Sequence, residues 1–447
     1  MMMNGKRLFS MLALLLTAAV AGAWAVTINL SAVTANLTAQ NGDVLTGTLG
    51  ANVKISIADG ATVTLNDVTI NGDNSSSYEW AGINCEGDAT LILKGTNTVR
   101  GFDPKYPGIH IVEGKTLTIR GDGSLTASSN GYAAAIGGGQ YVTCGNIVIE
   151  GGNITATGGD NAAAIGGGDG ATCGNITITN GVTAVTAIKA GTADNSIGAG
   201  YTPGTCGTIT IGGVVRESIT ESPYRYLALA DNKDNSPNIT TYNHQQADVT
   251  LKRTLQTNGW NTFCAPFSTT TPTGWTVKEL TGSSLSDGTL TLTFATASSI
   301  VAGKPYLVKV TSAVENPTFS SVTITGSTTT TETSYADFVP VMNPTALTAG
   351  DKTVLFVSGG NKLTYPTANG NINALRAYFR LKGAAAAAPV HAFGMSFDDD
   401  ATGIESTEHG TLTIDHSIYD LQGRHMANGQ SLKKGVYLMN GRKVVVK

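Results

Sequence analysis

The sequence predicts an all-β chain: a right-handed parallel β-helix of about six coils, then an antiparallel β-sandwich-like domain, then a small C-terminal β unit. Three observations carry this reading. Asp67, Gly95, Gly121, Gly151, Asn180 and Gly213 recur every 26 to 33 positions, each two places after a short apolar run (63–65, 91–93, 117–119, 147–149, 176–178, 209–211). Glycine, and less readily Asn and Asp, tolerates left-handed backbone, so one turn is expected to be made six times in register, as in a solenoid. A second motif keeps step with the first: Ala81-Gly82-Ile83, Pro107-Gly108-Ile109, Ala135-Ile136-Gly137, Ala164-Ile165-Gly166 and Ser196-Ile197-Gly198. The period is lost near residue 215, and from about residue 247 short β runs (289–294, 306–310, 321–325, 353–357, 377–381) are punctuated by Thr, Pro and Gly, the spacing of an antiparallel sandwich.

Taken in order, residues 1–25 read as a secretory signal. Lys6 and Arg7 precede an apolar stretch at 8–20, and Ala23-Trp24-Ala25 offers a small-x-small cleavage site. Val26 follows, so no lipid-anchoring cysteine is present there, and no later stretch is apolar enough over about 20 residues to span a bilayer. The expected product is secreted or held at the outer cell surface, without a transmembrane anchor after cleavage. Residues 26–56 are expected to cap the solenoid and 57–215 to form its coils. Each coil has three short strands, with Val63, Leu65, Leu117, Ile119, Ile176 and Ile178 inward and Thr64, Thr118 and Thr177 outward. Residues 216–247 contain Asp231-Asn232-Lys233-Asp234-Asn235-Ser236-Pro237 and read as a linker. The sandwich-like domain is placed at 248–400. There the alanine run 384–388 reads as a loop, a spacer or one helical turn.

Composition narrows the function classes. Charged residues are only 13% of the 447, the net charge is −4 and no basic patch stands out, so nucleic acid is not an expected partner. Five cysteines are present, and Cys144, Cys173 and Cys206 recur with the coils, so they are expected to stack on neighbouring strands about 4.8 Å apart. That spacing allows one disulfide or a ladder of small buried thiols.

The last 47 residues carry Tyr419-Asp420-Leu421-Gln422-Gly423-Arg424, then Leu432-Lys433-Lys434-Gly435-Val436-Tyr437, then a basic strand at 442–447. This unit, 401–447, resembles the C-terminal sorting domain carried by substrates of the type IX secretion system of Bacteroidota. Tyr419, Asp420, Gly423, Arg424, Gly435 and Tyr437 match its pattern. The resemblance implies translocation by the type IX machinery, removal of the tail, and release or surface attachment. Residues 55–215, with AAIGGG runs followed by CGNITI-type runs, are similar to the glycine-rich repeats of Bacteroidota surface proteins described as carbohydrate-binding domain-containing. The segment 260–267 is similar to a β domain that often precedes the sorting tail.

A β-helix can carry lyase or hydrolase chemistry, and glycoside hydrolysis needs two converging carboxylates. The coils hold no Asp-Asp pair, no Gly-His-Gly and no Arg-x-Lys, and His110 is their only histidine. Lys94, Arg120 and Glu150 share a turn position, continued by Asn66 and Thr179, and read best as a solvated column with a stacked Arg120–Glu150 pair. No catalytic residue, metal or cofactor is therefore nominated. Asn71-Gly72-Asp73-Asn74 could gather oxygen ligands for calcium but reads as a plain turn. Aromatic residues are scarce, at 6%, yet gather beside the AAIGGG-type strands: Tyr78 and Trp80 around Glu79, Phe102 and Tyr106, then Tyr132, Tyr141 and Tyr201. Rings with adjacent polar groups suit sugar faces and hydroxyls, so Tyr78, Trp80, Tyr106, Tyr141 and Tyr201 are the candidate ligand-binding residues and a glycan the candidate partner; the alternative is that these loops fold back and bury their rings on the solenoid flank. The expected function is non-enzymatic carbohydrate binding. The alternatives are an adhesin or structural stalk without sugar binding, and a lyase or hydrolase with an atypical site.

Overall fold

A computed structural model describes residues 25–387, 390, 392–398, 405–407, 418–420, 425–426, 434–439 and 442–446. The signal segment and the sorting-motif residues Gly423 and Arg424 lie outside the described residues. The chain divides into two compact units: residues up to 254 together with 315–326, and 255–314 together with 327 onward. Nearly all regular structure is β. The α-helices among the described residues are Ser236–Thr241 and Ala384–Ala387, the latter one turn of the alanine run.

The first unit is built from three families of parallel strands, one member of each per repeat. Ala61–Asn71, Ala89–Lys94, Thr116–Gly121, Asn146–Ile149, Ile176–Ile178 and Ile209–Ile211 stack in sequence order. Thr96–Arg100, Ser124–Ser128, Asn153–Thr157 and Ala184–Ile188 stack likewise, starting from the far half of Ala61–Asn71. Because Ala61–Asn71 is one continuous strand, both families fall into a 16-stranded sheet. The third family, from Leu37–Ala39 and Ile55–Ile57 through Ile83–Cys85 and Ile109–Ile111 to Ile197–Gly198, forms a seven-stranded sheet. There Ile83, Ile109, Ile136, Ile165 and Ile197 are direct register partners, so the second sequence motif marks true neighbours.

Alternation sorts the faces. Val63, Leu65, Leu117, Ile119, Ile176 and Ile178 are fully buried, while Thr64, Thr118 and Thr177 are half-buried on the other face. The inward residues of both sheets make one core, which also takes in Cys144 and Cys173. Polar side chains tie one repeat to the next. Asp59 accepts from the Asp88 N–H, Asp88 from Thr116, Asn146 from Asn175 and Asn175 from Thr208, each at 2.8 Å. Glycine is required where Gly137 (φ +134°) and Gly166 (φ +129°) stack. A Cβ there would lie 2.0 and 2.1 Å from the carbonyl oxygen of Gly166 and Gly198 respectively.

The structure corrects three expectations. The column of six equal turns is broken, because Gly121 lies opposite Leu93, two residues short of Gly95. A slip of two keeps every inward side chain inward, so alternation does not forbid it. Only Asp67, Gly95, Gly121 and Gly213 of that column take positive φ. At Gly151 the need is close approach instead, since a Cβ would sit 2.5 Å from the Gly121 oxygen. The slip also removes Lys94 from the charged column: Arg120 faces Ile92, and Arg120 and Glu150 form no ion pair among the described residues. Second, parallel pairing already begins at Thr27–Asn29 against Val44–Thr48, so residues 26–56 extend both sheets. Third, 216–247 is not an open linker. Tyr224–Ala230 pairs with Ala184–Ile188 and with Gln246–Lys252, which pairs in turn with Thr318–Thr323. The polar run between is tied down by Asn235, 3% exposed, whose amide bonds both the N–H and the carbonyl of Ala230.

Of the stacked cysteines, Cys173 and Cys206 form a disulfide with Cα atoms 4.6 Å apart, and Cys144 is a buried free thiol. In the second unit, one five-stranded sheet contains Asn261–Phe263, Trp275–Ser286, Thr289–Thr296, Tyr306–Val310 and Ala392–Phe397. Another contains Ala336–Val341, Val354–Ser358 and Arg376–Leu381. Leu290, Leu292 and Phe294 of the first share an apolar cluster with Phe338, Leu355 and Phe379 of the second. At the C-terminus, Ile418–Asp420 and Arg442–Val446 pair antiparallel with Gly435–Met439, opposing Asp420 to Tyr437, and Glu405–Thr407 pairs parallel to Arg442–Val446.

Candidate functional site

The aromatic residues separate into two groups. Tyr78 and Trp80 are half-buried and pack on the core with Phe102, which is 1% exposed. Their ring centroids are 5.4 Å (Tyr78–Trp80), 5.9 Å (Trp80–Phe102) and 6.4 Å (Tyr78–Phe102) apart. Tilted and edge-on rings at these distances form an ordinary aromatic cluster. For Tyr78 and Trp80 the structure follows the alternative, rings folded back on the flank of the repeats, and not the platform reading: Phe102, one repeat on, draws them inward. Tyr106 is half-buried, and burial, with the charges of Glu79 and Asp103 behind it, raises its hydroxyl pKa.

The second group is presented to solvent. Tyr141 is 71% exposed, Tyr201 46% and Tyr132 41%. Their backbones meet at Asp169 and Gly170, and Asp169 is itself buried. Asp169 N–H donates to the Tyr132 carbonyl and the Tyr141 N–H to the Asp169 carbonyl, each at 2.9 Å, and the Gly170 N–H donates to the Tyr201 carbonyl at 3.2 Å. The Gln140 amide donates to the Asp169 carboxylate at 3.1 Å. Tyr141 takes φ +56° and lays its ring over Gly170, where a Cβ would be 2.5 Å from the ring edge. Glycine at 170 is therefore what lets that ring settle. Tyr132 and Tyr141 flank one third-family strand, Ile136–Gly137, and Tyr201 follows another, Ile197–Gly198, so the three exposed tyrosines are tied through their backbones to Asp169 and Gly170 between them.

The sequence nominated Tyr141 and Tyr201 as loop aromatics and mentioned Tyr132 beside them; the structure places all three at the surface. It missed Asp169 and Gln140. Aligning the residues that follow the Gly137, Gly166 and Gly198 strands (GGGQY, GGGDG, GAGY) would have placed Gln140, Asp169 and Tyr201 at one stacked position.

Several other polar groups of the unit are committed to structure. Asp103 accepts from the Lys105 N–H at 2.7 Å, Arg100 donates to the Gly72 carbonyl at 2.8 Å, and Asp73 accepts from Asn52. His110 lies between Asn84 and Gly137 in register, and burial lowers its pKa. No group of three or more His, Cys, Asp or Glu among the described residues is placed to hold a metal ion, and no described helix is long and apolar enough to cross a membrane. Of the sorting-motif residues, Gly435 opens a strand and Tyr437 is 9% exposed within it, while Tyr419 and Asp420 lie on the strand opposite. Comparison with protein-family models, curated proteins and solved structures gave no match.

Proposed function

We propose that this is a secreted, surface-displayed, non-enzymatic carbohydrate-binding protein. Its stacked repeats are read as a right-handed parallel β-helix, and its sugar-binding face as Tyr132, Tyr141 and Tyr201 around Asp169. The observation that carries the reading is that three solvent-facing tyrosines are tied by backbone hydrogen bonds to the Asp169-Gly170 turn in a chain with few aromatic residues. Ring faces suit the apolar sides of pyranoses, and the tyrosine hydroxyls with Gln140 suit their hydroxyls. Parallel pairing at a near-fixed period, with three strands per repeat, supports the β-helix. The tail motif at 419–437 supports export by the type IX route, with the segment 255–398 as spacer.

The test is a glycan array probed with the full chain and with Tyr141→Ala/Tyr201→Ala, with Trp80→Ala as comparison. Selective binding lost in the double variant and kept in Trp80→Ala is the expected result. No selective binding would refute the reading and favour a stalk or protein-binding adhesin.

A further inference from the structure

The loops on either side of the third-family strands interlock into a column of their own. The loop after each strand donates to the loop before the preceding strand. Gln140 N–H bonds the Lys105 carbonyl at 2.8 Å, Asp169 N–H the Tyr132 carbonyl at 2.9 Å and Tyr201 N–H the Asn161 carbonyl at 2.7 Å. Lys105, Tyr132 and Asn161 stand at one place before Ile109, Ile136 and Ile165; Gln140, Asp169 and Tyr201 stand at one place after Gly137, Gly166 and Gly198. Those strands are direct register partners. Three equivalent rungs therefore follow one another along the stack, one per repeat. Neighbouring repeats bring the Cα atoms of Cys173 and Cys206 to 4.6 Å, the ordinary strand spacing.

Every rung offers a side chain to solvent. Lys105 is exposed with Gln140 half-buried beside it, Tyr132 is exposed on the second rung, and on the third Tyr201 is exposed and Asn161 half-buried. The Lys105 ammonium has no hydrogen bond or ion pair among the described residues, and the rings of Tyr132, Tyr141 and Tyr201 make no contact with one another. Each is free to meet a different part of one ligand. A ligand that reaches all three rungs must run along the stack and repeat at about the rung spacing. An extended β-1,4-linked glycan is a ribbon whose rise per sugar is close to that spacing. An α-1,4-linked chain coils and falls out of step. Because the rungs are already fixed by main-chain bonds, each added sugar meets an ordered surface.

We propose that this strip takes an extended β-1,4-linked glycan lying along the stack, one sugar per rung, with Lys105 and Asn161 as further contact residues. The inference rests on the carbohydrate reading above.

The full chain is titrated calorimetrically with cello-, xylo- and β-1,4-manno-oligosaccharides of two and four sugars, and with maltotetraose. In at least one β-1,4 series the tetrasaccharide is expected to bind at least about tenfold tighter than the disaccharide and than maltotetraose. Lys105→Ala/Asn161→Gly, with its fold checked by circular dichroism, should weaken that tetrasaccharide at least about tenfold. Glycine keeps the backbone at 161, where φ is +58°. The proposal is overturned if disaccharide and tetrasaccharide bind alike, if maltotetraose binds as tightly, if the double variant binds like the parent, or if no β-1,4 series binds. Any of these beside selective, Tyr141-dependent binding on the glycan array removes this inference and leaves the carbohydrate reading standing.

Discussion

Gly166→Ala tests the stacking of the repeats most directly. Gly166 sits at φ +129°, a region open almost only to glycine, and occupying it with another residue costs about 1–3 kcal/mol. The added Cβ would also lie 2.1 Å from the Gly198 oxygen and 2.9 Å from its carbon, which are backbone atoms with no side-chain rotation to relieve them. Moving Gly198 away stretches the Gly167 N–H bond to that oxygen, now 2.9 Å, for about 1 kcal/mol more. The sum is about 3 kcal/mol, a large share of a net stability of about 5–15 kcal/mol. At about 2–4 °C per kcal/mol for a unit of this size, the melting temperature should fall by about 6–12 °C. Far-UV circular dichroism of the full chain reads it, with Gly191→Ala as control because nothing lies within 4 Å of a Cβ there and its φ is not positive. A Gly166→Ala melt within about 2 °C of the parent would mean that the stacked glycines are not a packing requirement and that the register argument fails.

Three further outcomes are expected. Phe102→Ala removes a 1% exposed ring from beneath Tyr78 and Trp80, and urea unfolding should show a loss of about 3–5 kcal/mol while glycan binding at Tyr141 persists in the folded fraction. Cys206→Ser, refolded in glutathione redox buffer, should form Cys144–Cys173, because these two are register partners just as Cys173 and Cys206 are. Burial pushes the Cys144 thiol up to about 12, so pairing belongs to folding and not to the finished chain; a non-reduced digest showing all four remaining cysteines as free thiols refutes it. In the second unit, the Asp398 carboxyl is held well below the usual range, first by the Lys278 ammonium and then by the Thr296 N–H. Its folded pKa is depressed, so the stabilisation is complete above about pH 4, the unfolded value, and fades as pH falls below it. Asp398→Asn should flatten that acid limb and lower stability at pH 7, where fully buried Lys278 loses a counter-charge; an unchanged acid unfolding profile counts against the pair.

The repeats were legible in the sequence because inward and outward residues alternate with a period set by strand geometry. The same property hid the register slip: moving Gly121 from Gly95 to Leu93 is a shift of two, and Leu117 and Ile119 stay inside either way. The segment 216–247 was misread for a different reason. Asp231 to Ser236 has the composition of a loop, and nothing local reveals that the Asn235 amide closes on Ala230 while Tyr226, Leu227 and Leu229 are covered on both faces. Tyr78 and Trp80 point inward because Phe102 waits more than 20 residues away, a tertiary fact that loop composition does not encode.

That difference also explains why one set of loops is suited to present rings and the other is not. At Gly137, Gly166 and Gly198 the absence of Cβ atoms lets successive backbones close to contact, so the loops that follow leave the sheet about one strand spacing apart, about 4.8 Å. Loops so close share backbone bonds. Those around Asp169 fix Tyr132, Tyr141 and Tyr201 through the main chain and leave their rings exposed. The loop of Tyr78 and Trp80 is held by its rings instead, against Phe102. A platform whose backbone is already ordered loses little conformational freedom when a ligand arrives, and that is the physical ground for placing sugar recognition at Tyr141 and its neighbours and not at Trp80.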